Sequence, residues 1–362
     1  MLRVRWVGGD GRADRRSEET TQGGSPMSAP RVSVLLPVRD CEQFVSSALA
    51  SIRRQSFSDL EILCIDDGSR DGSARILDRH AAADPRVRVL RQGPRGIVAA
   101  LNNALAEARG ALIARMDADD VSHRNRIEWQ VAALDTEPDL TVVGSRVRAF
   151  PDRRVRRGMR DYLEWSNAVQ SPDAIAREIL VECPVVHPSV LARKRALIDV
   201  GGYRHGSFPE DYDLWLRLHR RGHRFRKLDC FLLAWRERPE RLTRTHPMYE
   251  RGRFLDLKAE HIRHLVAEDR RRVAIVGAGV VGKPLARRLA RLGVPVDAFV
   301  DLNPRKIGLT IHGAPVIHPD EMEPLRGAWL LAAVSARGQR DVVRNDLEAR
   351  GFREGEDFLC VV

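Results

Sequence analysis

Apolar runs and amphipathic stretches alternate along the first part of the chain. The runs with the length of one buried strand are residues 32–36, 60–65, 87–90 and 111–116. The stretches with apolar side chains at helical spacing are residues 42–55, 71–83 and 96–109. Strands that alternate with helices at this spacing predict an α/β fold in which helices flank a mostly parallel sheet.

The pattern becomes less regular after residue 122. It predicts strands near 140–149 and 185–192 and a helix near 210–221. Residues 249–269 have the pattern of one charged amphipathic helix, and a new strand–helix–strand unit opens at Arg272. A length of 362 residues also favours two hydrophobic cores. We therefore expect a disordered tail at 1–29, a first domain at 30–247, a helical linker at 248–270 and a second domain at 271–362.

The first residues carry none of these patterns. Residues 1–29 are polar and rich in Gly, Arg and Thr, which is typical of a disordered segment. Met27 directly precedes the first predicted strand, so Met1 and Met27 are both candidate start residues. The tail lacks a signal-peptide pattern, and the chain has no run of about 18 apolar residues. Both observations predict a cytoplasmic protein without a transmembrane helix.

The formal net charge of +11 raises the question of an anionic partner. Five of the 61 basic residues are Lys, and the arginines are spread along the whole chain. This distribution argues against a nucleic-acid-binding face. The arginines at 153–157 are expected to be solvated surface. The open alternative is contact with anionic lipid head groups at the inner face of the membrane, or with a pyrophosphate-linked acceptor. Five cysteines without CxxC spacing are expected to be reduced, buried thiols.

Three carboxylates directly follow the apolar run at 111–116, namely Asp117, Asp119 and Asp120. Such carboxylates repel one another unless a cation or hydrogen bonds compensate them. They are suitable ligands for Mg²⁺ or Mn²⁺, which can bridge to the oxygens of a diphosphate. The alternative is an Asp-rich loop that caps the next helix. Asp40 and Asp67 also follow predicted strands, and ligands of parallel sheets collect at this edge, so we favour the metal site.

A series of motifs extends this pattern in a fixed order. They are VLLPVRD at 34–40, IDDGSRDG at 65–72, RG at 95–96, ALNNA at 100–104, ARMDADD at 114–120, CPVVHPS at 183–189, GGY at 201–203 and EDYDLWLR at 210–217. Through them, residues 31 to about 245 resemble the family 2 glycosyltransferases. The resemblance implies a GT-A fold, with a nucleotide-sugar-binding mixed sheet flanked by helices.

The activity implied by this resemblance is an inverting transfer of a sugar from a nucleotide-diphosphate-sugar. The favoured donor is a UDP-sugar, and the acceptor is a saccharide or a lipid-linked molecule. The product would belong to a bacterial surface polysaccharide or glycolipid.

A donor site and a metal site are also implied by the resemblance. The residues that would line the donor site are Pro37, Arg39, Asp40, Asp67, Arg95, Asn102, Asp117 and Arg236. Within it, Asp67 would accept a hydrogen bond from the base, which is commonly uracil. Asp119 would be the more direct ligand of Mg²⁺ or Mn²⁺, with Asp117 near both the ribose and the metal.

The acidic pair Glu210 and Asp211 opens a predicted helix. A carboxylate near the acceptor hydroxyl can remove its proton, although carboxylates at a helix start also serve as caps. By resemblance, Asp211 would be the general base, with Glu210 beside it. His187 would contact the acceptor or the diphosphate. By residue type alone, His187 is an ordinary hydrogen-bonding histidine.

One motif departs from the family pattern. Where many relatives carry Tyr-Arg-x-His, this chain has Trp235, Arg236, Glu237 and Arg238. An arginine cannot coordinate a metal as histidine can, so a metal ligand from this loop is in doubt. Arg236 or Arg238 would instead neutralise the diphosphate directly.

The second domain opens with Gly277, Gly279 and Gly282 in GxGxxG spacing, and its next predicted strand ends at Asp301. This is the pattern of a Rossmann-like dinucleotide site, in which the glycines approach a pyrophosphate and the acid binds a ribose hydroxyl. The unit resembles small nucleotide-binding domains fused to bacterial sugar-modifying enzymes. NAD(P) is an open candidate cofactor. An NAD(P)-dependent oxidoreductase and a nucleotide-sugar sensor are the alternative functions, although no Tyr-x-x-x-Lys motif supports a working dehydrogenase.

Overall fold

The computed structural model describes residues 29–335 and 338–362, which form two compact units. The first unit comprises residues 29–170, 185–205 and 223–238. The second comprises residues 171–184, 206–222 and the described residues from 239 onwards. The tail predicted at 1–29, including Met27, lies outside the described residues except for Ala29. The predicted domain bounds rest on motifs rather than contacts and stay a prediction.

Strands and helices alternate over most of the described chain. The strands are β1 (Val32–Val38), β2 (Leu60–Asp67), β3 (Val87–Gln92), β4 (Leu112–Arg115), β5 (Val121–Ser122), β6 (Leu140–Phe150), β7 (Leu191–Arg193), β8 (Arg224–Arg236), β9 (Val273–Val276), β10 (Ala298–Val300), β11 (Thr310–Ile311), β12 (Ala314–Ile317), β13 (Trp329–Ala332) and β14 (Phe358–Cys360). The helices are α1 (Val45–Arg53), α2 (Ser73–Ala83), α3 (Ile97–Glu107), α4 (Arg126–Thr136), α5 (Arg157–Ala168), α6 (Pro172–Glu178), α7 (Lys194–Asp199), α8 (Glu210–Arg220), α9 (Leu242–Thr245), α10 (Arg251–Asp269), α11 (Gly282–Arg291) and α12 (Gln339–Ala349).

The first unit contains one eight-stranded sheet in the order β3-β2-β1-β4-β7-β6-β8-β5. β1 is parallel to β2 and β4, β2 is parallel to β3, and β6 is parallel to β8. β7 runs antiparallel to both β4 and β6, and β5 runs antiparallel to β8. The sheet is therefore mixed but mostly parallel, because β7 and β5 run opposite to the other six strands, which share one direction.

The carboxyl ends of β1, β2, β4, β6 and β8 meet at one edge of this sheet, which we call the carboxyl edge. Its residues are Arg39, Asp67, Asp117, Phe150 and Arg236. The register of β1 pairs Val38 with Asp66 and Leu35 with Arg115, and that of β6 pairs Phe150 with Arg236. Polar loops from distant parts of the sequence are thereby brought to one edge.

The core of the first unit lies between this sheet and its helices. Leu36 and Ile62 are fully buried on neighbouring strands, and Leu49 and Ile52 of α1 belong to the same cluster. Burying one such side chain contributes about 1.5–3 kcal/mol. The apolar strands thus form a rigid base for the polar loops of the carboxyl edge.

Two parts of the sheet differ from the sequence-based expectation. The strand predicted near 185–192 is instead a 3₁₀ turn, His187–Ser189, followed by the three-residue strand β7. Pro188 lies inside this turn and has no N–H to donate to a strand partner. The 13-residue strand β8 was not predicted. Charged residues such as Lys227 interrupt its apolar period.

The second unit has its own sheet in the order β11-β12-β10-β9-β13-β14. β9 is parallel to β10 on one side and to β13 on the other. β12 continues the parallel set beside β10, and β14 continues it beside β13. Only β11, which is antiparallel to β12, breaks the pattern among the described strands of this sheet.

Buried polar contacts hold residues 171–184 within the second unit. The ammonium of Lys258 on α10 donates to the carbonyls of Val181 and Val361, at 2.7 and 3.0 Å. Its burial lowers the pKa of Lys258 to about 8. Glu178 on α6 pairs with Arg344 at 2.7 Å. Along residues 29–335 and 338–362, no helix has both the length and the apolar character that crossing a bilayer requires.

Candidate functional site

Asp67 closes the end of β2 with a nearly buried carboxylate. Its Oδ1 accepts hydrogen bonds from Nε2 of Gln92 at 2.7 Å and from the backbone N–H of Arg95 at 2.8 Å. Its Oδ2 accepts from the backbone N–H of Gly96 at 2.9 Å and from Nη1 of Arg39 at 3.3 Å. Three of these donors hold the stretch between β3 and α3 at the carboxyl edge, and Arg39 links the loop after β1 to it. The base-binding role of Asp67 and the pocket role of Arg95 stay predictions.

The loop after β1 is bonded to the loop after β2. Asp40 has a left-handed φ of 46° and accepts a hydrogen bond from the backbone N–H of Arg70 at 2.7 Å. The N–H of Asp40 donates to Oγ of Ser69 at 3.1 Å. Pro37, expected to line the donor site, is a buried residue of β1 that precedes this loop. Arg39 and Asp40 therefore carry the polar chemistry of the loop.

Asp117, Asp119 and Asp120 form a cluster at the end of β4. One oxygen from each carboxylate lies within 4.8 Å of the others. Asp119 and Asp120 are buried, and Asp117 is partly exposed. Three carboxylates at this separation are a donor set that fits a hard divalent cation. Asp120 also accepts a hydrogen bond from the backbone N–H of Arg236 at 2.8 Å. It does not cap the next helix, which starts after Asn125.

Arg236 and Arg238 approach this cluster from the end of β8. Nε of Arg236 donates to the backbone carbonyl of Asp119 at 2.6 Å. The Arg236 guanidinium lies over the rings of Phe44 and Phe150, at 4.5 and 4.4 Å from their centroids. Burial lowers the pKa of Arg236, and the nearby carboxylates oppose that shift. Nε of Arg238 donates to Oδ2 of Asp119 at 2.6 Å.

Two more arginines approach the cluster from the interior of the first unit. Arg115, at the end of β4, is buried and forms an ion pair with Asp117. Arg126, at the start of α4, is fully buried and donates to the carbonyls of Arg115 and Pro188. Burial lowers the pKa of Arg126 to about 10, and the negative charge of Asp120 acts in the opposite direction.

His187 is buried beside Tyr203. Its Nε2 lies 2.9 Å from the Tyr203 hydroxyl. Burial, reinforced by the positive charge of Arg115, holds the pKa of His187 well below 6.5, so its imidazole is neutral at neutral pH. Asn102 donates to the carbonyl of Tyr203 at 2.7 Å and accepts from its N–H at 2.9 Å. Asn102 thus positions Tyr203, and the ligand contacts expected of Asn102 and His187 stay predictions.

Glu210 and Asp211 belong to the second unit, where they begin α8. Glu210 is buried, and its Oε2 accepts a hydrogen bond from the hydroxyl of Tyr249 at 2.7 Å. Asp211 is less buried, and its Oδ1 accepts from the backbone N–H of Tyr212 at 2.7 Å. The pair therefore has one carboxylate held by a tyrosine and one more accessible carboxylate.

The glycine loop of the second unit follows β9. Gly277 has a left-handed φ of 105°, and a Cβ at Gly282 would meet the carbonyl oxygen of Gly277 at 1.9 Å. A Cβ at Gly279 would meet no atom within 4 Å. Asp301, after β10, accepts a hydrogen bond from the backbone N–H of Ala278 at 2.9 Å. The turn therefore requires glycine at position 277, and the packing at the start of α11 requires glycine at position 282. Gly279 faces open space.

Comparison with known proteins gives the first unit a family. Residues 33–201 match the sequence profile of Glycosyl transferase family 2. EpsE of Bacillus subtilis, named as a glycosyltransferase, is 34% identical over 215 residues, which cover 58% of this chain and 74% of EpsE. This chain belongs to glycosyl transferase family 2. The oxidoreductase alternative is not favoured by these relatives.

Further relatives agree with the family and with the fold. The amylovoran biosynthesis glycosyltransferase AmsE of Erwinia amylovora is 30% identical over 207 residues, covering 56% of this chain and 75% of AmsE. The crystal structure of residues 1–349 of S. aureus TarS is 18% identical, with a TM-score of 0.53, and the match covers 72% of this chain and 71% of TarS. The α/β fold of GT-A type expected from the motifs is therefore confirmed.

Several residues of this glycosyltransferase's site were not identified from the sequence. Arg115 had a visible signal, since it is a charge inside an apolar strand just before the cluster. Gln92 had a weaker one, as a polar residue at the end of a strand. Phe44 and Phe150 had none, because each packs on Arg236 from a distant part of the chain. Arg126 follows Asp120 closely in sequence, but its burial depends on the fold.

Asp67→Asn tests whether this carboxylate holds the loop at 93–96. Both oxygens of the Asp67 carboxylate accept hydrogen bonds from N–H groups. The NH₂ group of asparagine would replace one of these oxygens and would face donors that it cannot bond. The lost and opposed hydrogen bonds should lower the free energy of unfolding by about 1–3 kcal/mol. Urea unfolding measures the change. The matched control is Asp66→Asn. Asp66 accepts a hydrogen bond from the Ser69 N–H at 3.0 Å, and the asparagine oxygen can still accept it. Equal effects of the two substitutions would contradict this role of Asp67.

Proposed function

We propose that this glycosyltransferase moves a sugar from a nucleotide-diphosphate-sugar to a saccharide or lipid-linked acceptor, with inversion at the anomeric carbon. The observation that carries the proposal is the cluster of Asp117, Asp119 and Asp120 at the carboxyl edge. It lies on the same edge as the Asp67-held loop, where ligands of parallel sheets collect. The pathway would be synthesis of a bacterial surface polysaccharide or glycolipid, as the name of AmsE suggests for that relative.

A UDP-sugar is the proposed donor. A crystal structure of TarS residues 1–349 contains UDP-GlcNAc, which supports a donor of this class for a chain with the same fold. Arg39, Asp40 and the loop held by Asp67 would bind the nucleoside. The Arg95 and Asn102 region would line the remainder of the donor pocket.

We propose that Mg²⁺ or Mn²⁺ binds at Asp117 and Asp119, which makes the transferase metal-dependent. The three clustered carboxylates fit such an ion by their chemistry and separation. When bound, the ion would stabilise the negative charge of the leaving diphosphate. Arg236, fixed between two phenyl rings, would supply positive charge to the same diphosphate.

Asp211 is the proposed general base. A carboxylate within hydrogen-bond reach of the acceptor hydroxyl can take its proton as the new glycosidic bond forms. Glu210 would stay in place beside it through its bond to Tyr249. The greater exposure of Asp211 supports its assignment over Glu210. We also propose that His187, which is buried and neutral, lies on the side of the acceptor or the diphosphate and contacts it through the hydroxyl of Tyr203.

Asp211→Asn should separate chemistry from donor binding. The amide cannot accept the proton, so kcat for sugar transfer should fall by about 10²- to 10⁴-fold. Binding of UDP, measured by calorimetry, should be unchanged because the substitution leaves the first unit intact. The control is Asp173→Asn, which also removes a carboxylate from the first turn of a helix in the second unit. Near-normal transfer by Asp211→Asn would exclude Asp211 as the base.

For the second unit we propose a Rossmann-like nucleotide-binding domain. The parallel strands have the order β12-β10-β9-β13-β14. The strand that comes first in sequence, β9, is in the middle, as in doubly wound dinucleotide-binding folds. The three glycines match the roles of such a loop, which are a tight turn, close approach to phosphate and helix packing. Asp301 would contact a ribose hydroxyl. NAD(P) and a nucleotide-sugar are both candidate ligands, and the role would be sensing rather than redox catalysis.

Gly279→Val tests this nucleotide site in the full chain. Its Cβ would lie in open space, with no protein atom within 4 Å, on the side from which a phosphate would approach. Calorimetric titration with NAD, NADP and UDP-sugars should detect a binding event that Gly279→Val removes and Asp119→Asn retains. Thermal stability should stay at the wild-type level. Binding that persists in Gly279→Val would contradict the site.

A peripheral contact with the inner face of the membrane is also proposed. The exposed arginines that follow β6 are Arg153, Arg154, Arg156, Arg157 and Arg160. This segment starts at the carboxyl edge, where β6 ends, and a basic segment attracts anionic head groups.

Removing two of these arginines tests the contact. Sedimentation with vesicles containing phosphatidylglycerol should recover less of the Arg153→Gln/Arg154→Gln variant than of the wild type. The matched control is Arg109→Gln/Arg195→Gln, which removes the same charge from exposed positions adjoining the opposite edge of the sheet. Equal losses in both variants would show that only net charge matters and would contradict a specific membrane-facing segment.

A further inference from the structure

Arg238 forms an ion pair with the carboxylate proposed as the principal metal ligand. Its Nε donates to Oδ2 of Asp119 at 2.6 Å, and the two side chains are 22% and 13% exposed. Arg238 therefore places a positive charge directly on an oxygen of the proposed ligand.

The charge around the cluster is already compensated in the free protein. The three carboxylates carry three negative charges, and the guanidinium groups near them belong to Arg115, Arg126, Arg236 and Arg238. Two of these guanidinium groups, those of Arg115 and Arg238, pair directly with carboxylate oxygens of the cluster. A divalent cation that enters this set alone meets repulsion, which weakens its binding.

Arg238 is more exposed than Arg115 and Arg126, and it lies beyond the end of β8. The side chain of Arg115 is 4% exposed, and Arg126 is fully buried. Arg236 is held between two phenyl rings. The Arg238 side chain is 22% exposed, and its guanidinium lies 5.8 Å from the centroid of the Phe44 ring.

We propose that Arg238 is an internal counter-ion that pairs with Asp119 in the free protein and is displaced when a divalent cation and a nucleoside diphosphate bind together. This inference rests on the metal and donor site under Proposed function. The diphosphate supplies oxygen ligands to the cation and an anionic partner for the displaced guanidinium. Cation binding and nucleotide binding are therefore coupled. Each ligand raises the affinity of the protein for the other by the same factor, because one coupling free energy describes both effects.

Binding of Mn²⁺ to the full chain tests the inference without a measurement of activity. The free Mn²⁺ signal in electron paramagnetic resonance reports the bound fraction, with and without UDP. Wild type should bind Mn²⁺ weakly alone and at least roughly tenfold more tightly with UDP, a factor that corresponds to about 1.4 kcal/mol. Arg238→Gln should bind Mn²⁺ alone on the order of tenfold more tightly than wild type, and the gain from UDP should shrink.

Two control variants separate this effect from a general loss of charge or of fold. Arg53→Gln removes an arginine whose Nε bonds to Asp84 at 3.0 Å and whose exposure of 26% is similar, and it should behave as wild type. Arg238→Lys keeps the positive charge and should also stay close to wild type.

The outcomes distinguish this inference from the proposed metal site. If Mn²⁺ binds with UDP but Arg238→Gln has the wild-type affinity for Mn²⁺ alone, the counter-ion role is wrong and the metal site stands. If neither protein binds Mn²⁺ under any condition, the metal site itself is wrong, and the inference falls with it.

Discussion

Repulsion among three carboxylates at the end of β4 is the constraint on which the rest of the first unit depends. With oxygens within 4.8 Å of one another, each pair of full charges costs roughly 3 kcal/mol at an effective dielectric constant of 20. The protein offsets this cost with guanidinium groups and a backbone N–H rather than with distance. Arg115 pairs with Asp117, Arg238 pairs with Asp119, and the N–H of Arg236 bonds to Asp120.

This compensation determines where other elements lie. β8 ends at the cluster because the backbone and side chain of Arg236 both bond to it. The phenyl rings of Phe44 and Phe150 then enclose the Arg236 guanidinium, so the loop after β1 and the end of β6 face the same point. Asp67 makes a similar arrangement at the end of β2 with two backbone N–H groups, the amide of Gln92 and the guanidinium of Arg39. A polar edge of this kind is stable because the apolar strands beneath it are rigid.

Much of this architecture could be predicted from residue patterns. The parallel strands β1 to β4 are short, apolar and bounded by polar turns, so their carboxyl ends and the acidic residues after them were identified. β8 was missed because strand formation there depends on its partners β6 and β5, and its charged residues mask the apolar period. The pairing of Arg238 with Asp119 was equally hidden, since 119 residues separate the two in sequence. Arg115 is the exception, because a charged residue inside an apolar strand is visible in the sequence and indicates a nearby opposite charge.

The carboxylate cluster at the carboxyl edge is expected to promote cleavage of the nucleotide-sugar, and donor turnover tests this role directly. The measurement is a screen of UDP-, GDP- and dTDP-sugars with Mn²⁺, in which release of the nucleoside diphosphate is followed for wild type and Asp119→Asn. We expect release from a UDP-sugar by the wild type, its loss on addition of EDTA, and its absence in Asp119→Asn. Release that continues unchanged in Asp119→Asn, or in the presence of EDTA, would contradict this role.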